Sequence, residues 1–159
     1  MITAKIFPKN RFILQIIKLI LLDMSKHSCV LLLGTNLGDR KKNLNIALSL
    51  IEIEIGIIQD KSKILETKAE DFESDHLFLN QTLTIGTPLS PIEILNRIKK
   101  IENQMGRVYL TDGERYQNRI IDIDILKINN INFQSARLLI PHPQIKSRKF
   151  VKKLLGLSV

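Results

Sequence analysis

The chain has 159 residues, 44% of them hydrophobic, enough to fill the core of one compact domain and too few for several. Its formal charge of +8 favours nucleic acid, an acidic surface or a phosphorylated ligand, yet residues 1–28 hold half of it, with Lys5, Lys9, Arg11, Lys18 and Lys26 against Asp23. The body is only mildly basic, which argues against nucleic acid, and the lone cysteine, Cys29, excludes an intrachain disulfide and fits a reducing cytosol.

From the N-terminus, FILQIIKLILL (12–22) follows three basic residues, as the apolar region of a signal peptide would. It contains Gln15 and Lys18, lacks a small-residue cleavage site, and is far shorter than the ~20 residues a membrane span needs. Residues 1–26 are therefore read as an extension outside the working domain, an amphipathic appendage or sequence upstream of a start at Met24, and residues 27–159 as the domain. CVLLLG (29–34) is a short continuous apolar run ending in glycine, a buried strand. Leu44, Ala47, Leu48, Ile51 and Ile55 recur at helical spacing, and Gly56 supplies a stop. KSKILET (61–67) reads as a strand. LFLNQTLTIGT (77–87) alternates, with Leu77, Leu79, Leu83 and Ile85 on one face and Phe78, Asn80, Thr82 and Thr84 on the other. SPIE at 90–93 starts a helix, with Ser90 as cap, Pro91 in the first turn and Glu93 completing a capping box. Leu95, Ile98, Ile101 and Met105 form its inner stripe and Gly106 ends it. The last strand runs from about 119 to 128, within NRIIDIDILKI.

Strand, helix, strand, strand, helix, strand is the βαββαβ order of a ferredoxin-like α+β fold, an antiparallel sheet with both helices on one face. The other face is then free for a ligand. The polar connections at 68–76 and 107–118 are long for a compact domain, and such loops often carry function. In the last strand Ile121, Ile123 and Ile125 belong to the helix-covered face, so Asp122 and Asp124 point to the open one. If that strand neighbours 77–87, acids, an amide and an aromatic ring share one surface.

Two carboxylates ~6.6 Å apart along a strand repel by roughly 2.5 kcal/mol at an effective dielectric of 20 and by ~0.6 kcal/mol in open water. A solvated face is one reading of the pair. Against it, Ile120, Leu126 and Ile128 have the same parity as the acids. A divalent cation turns the repulsion into coordination, and Mg²⁺ takes one or two carboxylates together with substrate phosphates. Arg107, Arg115, Arg119, Arg137 and Arg148 flank this strand or its adjoining loops, and guanidinium groups match phosphate oxygens bidentately. GTNLGDR (34–40) has glycines but no G-K-[ST], so it is not a P-loop, and no dinucleotide fingerprint is present.

The ordered blocks LLLGTNLGDRKKNL, FLNQTLTIGTPLSPIEILNRIKKIENQMGR, RYQNRIIDIDIL and LLIPHPQIKSRKFV, from about Val30 to Val151, resemble the 6-hydroxymethyl-7,8-dihydropterin pyrophosphokinases of folate biosynthesis. The resemblance implies a ferredoxin-like fold and transfer of the β,γ-diphosphate of ATP to the pterin hydroxymethyl group, releasing AMP. It implies Asp122 and Asp124 as ligands of two Mg²⁺ ions, with Arg107 and Arg119 as catalytic arginines that steady the phosphates. Glu102, Tyr116, Arg137, His142 and Arg148 fall at ATP-binding positions, together with those two arginines. Thr67, Phe78, Asn80 and Phe150 match a pterin pocket in which two rings sandwich the heterocycle and the amide reads its edge. A cytoplasmic monomer that binds these small molecules and neither nucleic acid nor membrane is expected.

Departures from the family pattern are local. VYLTDGERYQN, between Arg107 and Arg119, is slightly long, with Tyr116 where tryptophan is frequent and Gln117-Asn118 where Gly-Pro is usual. KAEDF (68–72) replaces a more apolar pattern, and the domain is short after FVKKLLGLSV. A catalytically impaired relative is one alternative. An RNA-binding module on the same fold is another, though its aromatic signature is missing and paired acids repel phosphate.

Overall fold

The computed structural model describes residues 25–70, 72–108 and 117–158, with positions 13, 15–17, 19 and 20 of the N-terminal stretch. In chain order the elements are β1 (His27–Thr35), α1 (Arg40–Glu54), β2 (Ile57–Lys61), β3 (Leu65–Thr67), β4 (Phe78–Thr87), α2 (Pro91–Gln104), β5 (Asp122–Ile128), β6 (Phe133–Gln134), β7 (Leu139–Ile140), α3 (Gln144–Ser147) and α4 (Lys149–Leu154). The main sheet is antiparallel in the order β2-β4-β1-β5, with β3 also on β4, and β6 and β7 form a separate hairpin. This is the ferredoxin-like α+β arrangement.

Local chemistry starts and stops both helices. Asp39 caps α1 by accepting from the Lys42 N–H at 3.0 Å. Ser90 and Glu93 close the predicted capping box of α2, with Pro91 in its first turn. Gly106 follows α2 at φ +85°, a left-handed turn that suits a residue without Cβ. Glu54 ties the helices together, bonding Arg97 at 2.7 Å and Lys100 at 2.8 Å, and these two cations hold its carboxyl below the ordinary range.

The core lies between the helices and one sheet face: Leu31, Leu33, Leu83, Ile85, Ile123 and Ile125 from the strands meet Leu44, Ala47, Ile51, Ile94, Ile98 and Ile101 from the helices. Cys29 belongs to this core, and burial pushes its thiol up to about 12, so it is no nucleophile. Burying each such aliphatic side chain contributes roughly 1.5–3 kcal/mol.

Several expectations are corrected. The strand read at 61–67 is two strands, because Ser62 interrupts the ladder: its hydroxyl and carbonyl take bonds from Thr82 N–H and Gln81 Nε2. Leu77 precedes β4 and is 38% exposed rather than covered. Ile128 does not share the acids' face: the β1–β5 register shifts between Val30 and Leu31, which returns Ile128 to the core opposite Cys29. The open face is not wholly free, since α3 and α4 lay Ile145, Phe150, Val151, Leu154 and Leu155 over Val30, Leu32 and Leu126. In the N-terminal stretch, Ile13, Ile16, Ile17, Leu19 and Ile20 are helical and exposed. No helix among the described residues is long and apolar enough to cross a membrane.

Candidate active site

The open face acquires its depth from the order of the strands. β5 is not the neighbour of β4; β1 runs between them, and Gly34 stands opposite Asn80 on one side and Asp122 on the other. A Cβ on Gly34 would lie 3.3 Å from Asn80 Oδ1 and 3.6 Å from the Phe78 ring, so the glycine opens the sheet between ring and acid. Above this opening α4 supplies Phe150, and the 68–76 loop supplies Ala69, Glu70 and Phe72.

The resulting pocket brings together Thr67, Phe78, Asn80, Arg119, Asp122, Asp124, Arg148 and Phe150. Asn80 donates from Nδ2 to Thr67 Oγ1 at 2.8 Å, which fixes its amide. The pocket is narrow, about 30 Å³, because guanidinium groups lie over both flanking rings: Arg119 is 5.4 Å from the centre of Phe78, and Arg148 is 5.9 Å from that of Phe150. Arg148 also pairs with Glu70 at 3.6 Å.

A second cavity of about 330 Å³ lies at the outer edge of β5, lined by Leu95, Lys99, Ile123, Asp124, Ile125, Arg137, Leu138, Leu139, His142 and Pro143. Arg137 is steadied by Asn96 Oδ1 at 3.0 Å. His142 Nδ1 accepts the Gln144 N–H at 3.2 Å, which puts the proton of the neutral ring on Nε2. Burial, then the Arg148 charge, lower the His142 pKa against the opposing pull of Asp122. Asp124 belongs to both cavities.

The electrostatics of the acids point the same way. Burial, followed by repulsion from Asp122 and Glu102, lifts Asp124 to about 7, against the pull of Arg119 and Arg107. Asp122 is flanked by arginines, with Arg107 donating to Oδ1 and Arg119 Nε 3.3 Å from Oδ2. Arg119 Nε and Gln144 Oε1 are buried without hydrogen-bond partners among the described residues. Among those residues no group of three or more His, Cys, Asp or Glu is arranged to hold a metal. Two hard carboxylates facing a cavity nonetheless fit Mg²⁺, which completes its shell with phosphates and water.

Residues 30–157 match the family model for 7,8-dihydro-6-hydroxymethylpterin-pyrophosphokinase. The chain belongs to this family. A 2-amino-4-hydroxy-6-hydroxymethyldihydropteridine pyrophosphokinase of Porphyromonas gingivalis is 40% identical over 126 residues, covering 78% of this chain and 85% of the relative. The Bacillus subtilis protein of the same name is 38% identical over 120 residues, 75% of this chain and 70% of the relative. The mitochondrial folate synthesis bifunctional protein of Pisum sativum is 38% identical over 134 residues, 82% of this chain but 25% of that longer protein. A solved HPPK-DHPS structure in complex with substrates shares the fold, with a TM-score of 0.65 at 19% identity over 83% of this chain and 40% of that one.

Most of the residues expected from the pyrophosphokinase pattern converge. Thr67, Phe78, Asn80 and Phe150 share the narrow pocket with Arg119, Arg148 and the two acids, while Arg137 and His142 line the larger cavity with Asp124. Glu102 departs from the expectation: its side chain is 0% exposed, behind the acids, and lines neither cavity. Tyr116 lies outside the described residues. Arg107 reaches Asp122 from the end of α2 without lining either cavity.

Sequence reasoning missed Asn36. Only 2% exposed, it accepts the Arg119 N–H at 2.7 Å and donates to Asn118 Oδ1 at 2.7 Å. Asn118, where the family pattern has proline, also accepts from Ser74 Oγ at 2.6 Å, so the substituted position joins the 68–76 loop to the base of β5. The signal was the asparagine after G-T in GTNLGDR, a polar residue directly following a buried strand.

Proposed function

We propose that the protein transfers the β,γ-diphosphate of ATP to 6-hydroxymethyl-7,8-dihydropterin, giving the pterin diphosphate and AMP, a step of folate biosynthesis. The observation that carries this reading is Asp124, shared by an aromatic slot on the sheet face and a larger cavity at the sheet edge. Two substrates bound in those cavities meet at the acids.

The flat pterin takes the slot between Phe78 and Phe150, where Asn80 and Thr67 offer both donors and acceptors to its edge. The nucleotide takes the larger cavity against Leu95, Leu138 and Leu139, with Arg137 and His142 as its polar contacts. Asp122 and Asp124 would hold magnesium, with two ions expected, and bound there it would supply neutralisation of phosphate charge. The pterin alcohol attacks the β-phosphorus, the bond from that phosphorus to the oxygen bridging the α-phosphate breaks, AMP leaves and the alcohol proton is released. No protein nucleophile is needed. Holding two substrates in line supplies roughly 7–11 kcal/mol of barrier reduction, and Arg107, Arg119 and Arg148 stabilise the charge on the transferred group. Residues 27–159 are the working domain, a cytoplasmic monomer with these small molecules as its partners.

The test is AMP formation from ATP and Mg²⁺ with and without the hydroxymethyl pterin, run on the full chain and on a chain starting at Met24. AMP that depends on the pterin, and is abolished in a folded Asp122→Ala variant, supports the reading. AMP formed without pterin, or full activity in Asp122→Ala, overturns it.

A further inference from the structure

Arg107 sits at an unusual junction. Its Nη1 donates to two carboxylates at once, Glu102 Oε1 and Asp122 Oδ1. Its backbone N–H donates to the Glu102 carbonyl at 3.0 Å, so main chain and side chain are tethered to the same residue. The left-handed turn at Gly106 brings it back over the end of α2.

The two carboxylates differ in what else holds them. Glu102 is 0% exposed; its Oε1 also accepts the Ile123 N–H at 2.9 Å, and its Oε2 accepts from Lys99 Nζ at 2.8 Å. Ile123 is the residue between the two acids, so Glu102 is pinned from α2 to the backbone of β5 whether or not Arg107 is present. Asp122 is 20% exposed and lines the narrow pocket. Both its oxygens face arginines, Arg107 at one and Arg119 at the other. An oxygen that accepts from a guanidinium has less to offer a cation.

We propose that Arg107 is the counter-ion of the metal-free site, and that Glu102 is a positioning residue, the second berth that keeps the guanidinium at the site when a divalent cation claims Asp122. The inference rests on the reading of Asp122 and Asp124 as cation ligands. Arg107 and the cation compete for one carboxylate, and Glu102 decides how readily Arg107 yields. Released from Asp122 but still tied to Glu102, the guanidinium has donors to turn toward a phosphate without leaving the site.

The signs of the effects separate this from a structural role. In Arg107→Ala the competitor is gone, and the protein binds Mn²⁺ without nucleotide about tenfold more tightly, opposite in sign to the usual cost of removing a group that supports a metal ligand. In Glu102→Gln the amide oxygen still accepts from Ile123, but the charge that draws Arg107 away from Asp122 is gone, and Mn²⁺ binds about tenfold more weakly. In the double variant the Glu102→Gln effect shrinks to about twofold or less, the non-additivity expected of residues acting through one another.

Free Mn²⁺ is read by electron paramagnetic resonance on each purified full-length variant, with circular dichroism as the fold control. Opposite shifts in the single variants and their collapse in the double support the proposal. Equal affinities, shifts of the same sign, additive effects or no Mn²⁺ binding by the parent overturn it. If Glu102→Gln fails to fold, the Arg107→Ala arm decides alone. The pterin-dependent AMP assay keeps the two readings apart: its failure alongside intact Mn²⁺ shifts sinks diphosphate transfer, and unchanged Mn²⁺ affinity beside a working assay sinks only the counter-ion.

Discussion

Replacing Asp124 with asparagine keeps the shape of the side chain and removes its charge. In the metal-free protein the folded state lifts this carboxyl from 3.8 to about 7, and at 1.36 kcal/mol per pH unit that is about 4 kcal/mol favouring the neutral form. A group with a raised folded value contributes stability that is fully present below its unfolded value and is lost as pH rises through the folded one. Between about pH 5.5 and about pH 8 the parent therefore loses about 2 kcal/mol, which in a domain of this size is a fall in Tm of about 4–8 °C. Asp124→Asn loses this dependence, and at about pH 8 it is more stable than the metal-free parent by up to about 4 kcal/mol. His142, whose lowered value makes its contribution grow with pH, is present in both proteins and cancels in the comparison. Differential scanning calorimetry in chelator at both pH values measures the effect. Saturating Mg²⁺, at about 100 times its dissociation constant, adds about 2.7 kcal/mol to the parent at the higher pH and nothing to the variant. An identical pH dependence of Tm in the two proteins refutes the argument that Asp124 is held at a cost that a cation relieves.

Three further outcomes are expected. Gly34→Ala places a methyl 3.3 Å from Asn80 Oδ1 and 3.6 Å from the Phe78 ring, so pterin affinity falls about tenfold while ATP affinity is unchanged, as titration calorimetry with each ligand shows. Asn36→Ala removes the acceptor of the Arg119 N–H and the donor to Asn118; it costs about 1–3 kcal/mol of stability in denaturant unfolding, and turnover drops by about tenfold or more as Arg119 loses its position. Ser90→Ala opens the capping box of α2 and costs about 1 kcal/mol, lowering Tm by about 2–4 °C without changing the pH dependence described above.

The helix signals were local and therefore readable. Ser90, Pro91 and Glu93 act within one turn, and the stripe of Leu95, Ile98 and Ile101 reports one face of a helix wherever that helix is placed. Met105 was expected in that stripe, where it packs against the core from its edge, while Ile94 and Glu102, which the spacing passed over, are fully buried. Glu102 was invisible as a core residue because its burial depends on a partner far away in sequence, the Ile123 N–H that its Oε1 accepts from β5. The small elements β6, β7, α3 and α4 carry too few residues for periodicity to register, and they exist because the chain packs back over the sheet.

What the residues settled alone was the pattern of apolar spacing, the ends of the helices and the outward pairing of Asp122 with Asp124, since each depends on neighbours a few positions away. Strand order was beyond them. Only packing put β1 between β4 and β5, so that Gly34 opens the space where Phe78, Asn80 and Asp122 meet. Only packing set Asp124, half-buried between two cavities, near two other carboxylates, because desolvation and repulsion are properties of where a group sits among all its neighbours, not of what precedes and follows it in the chain.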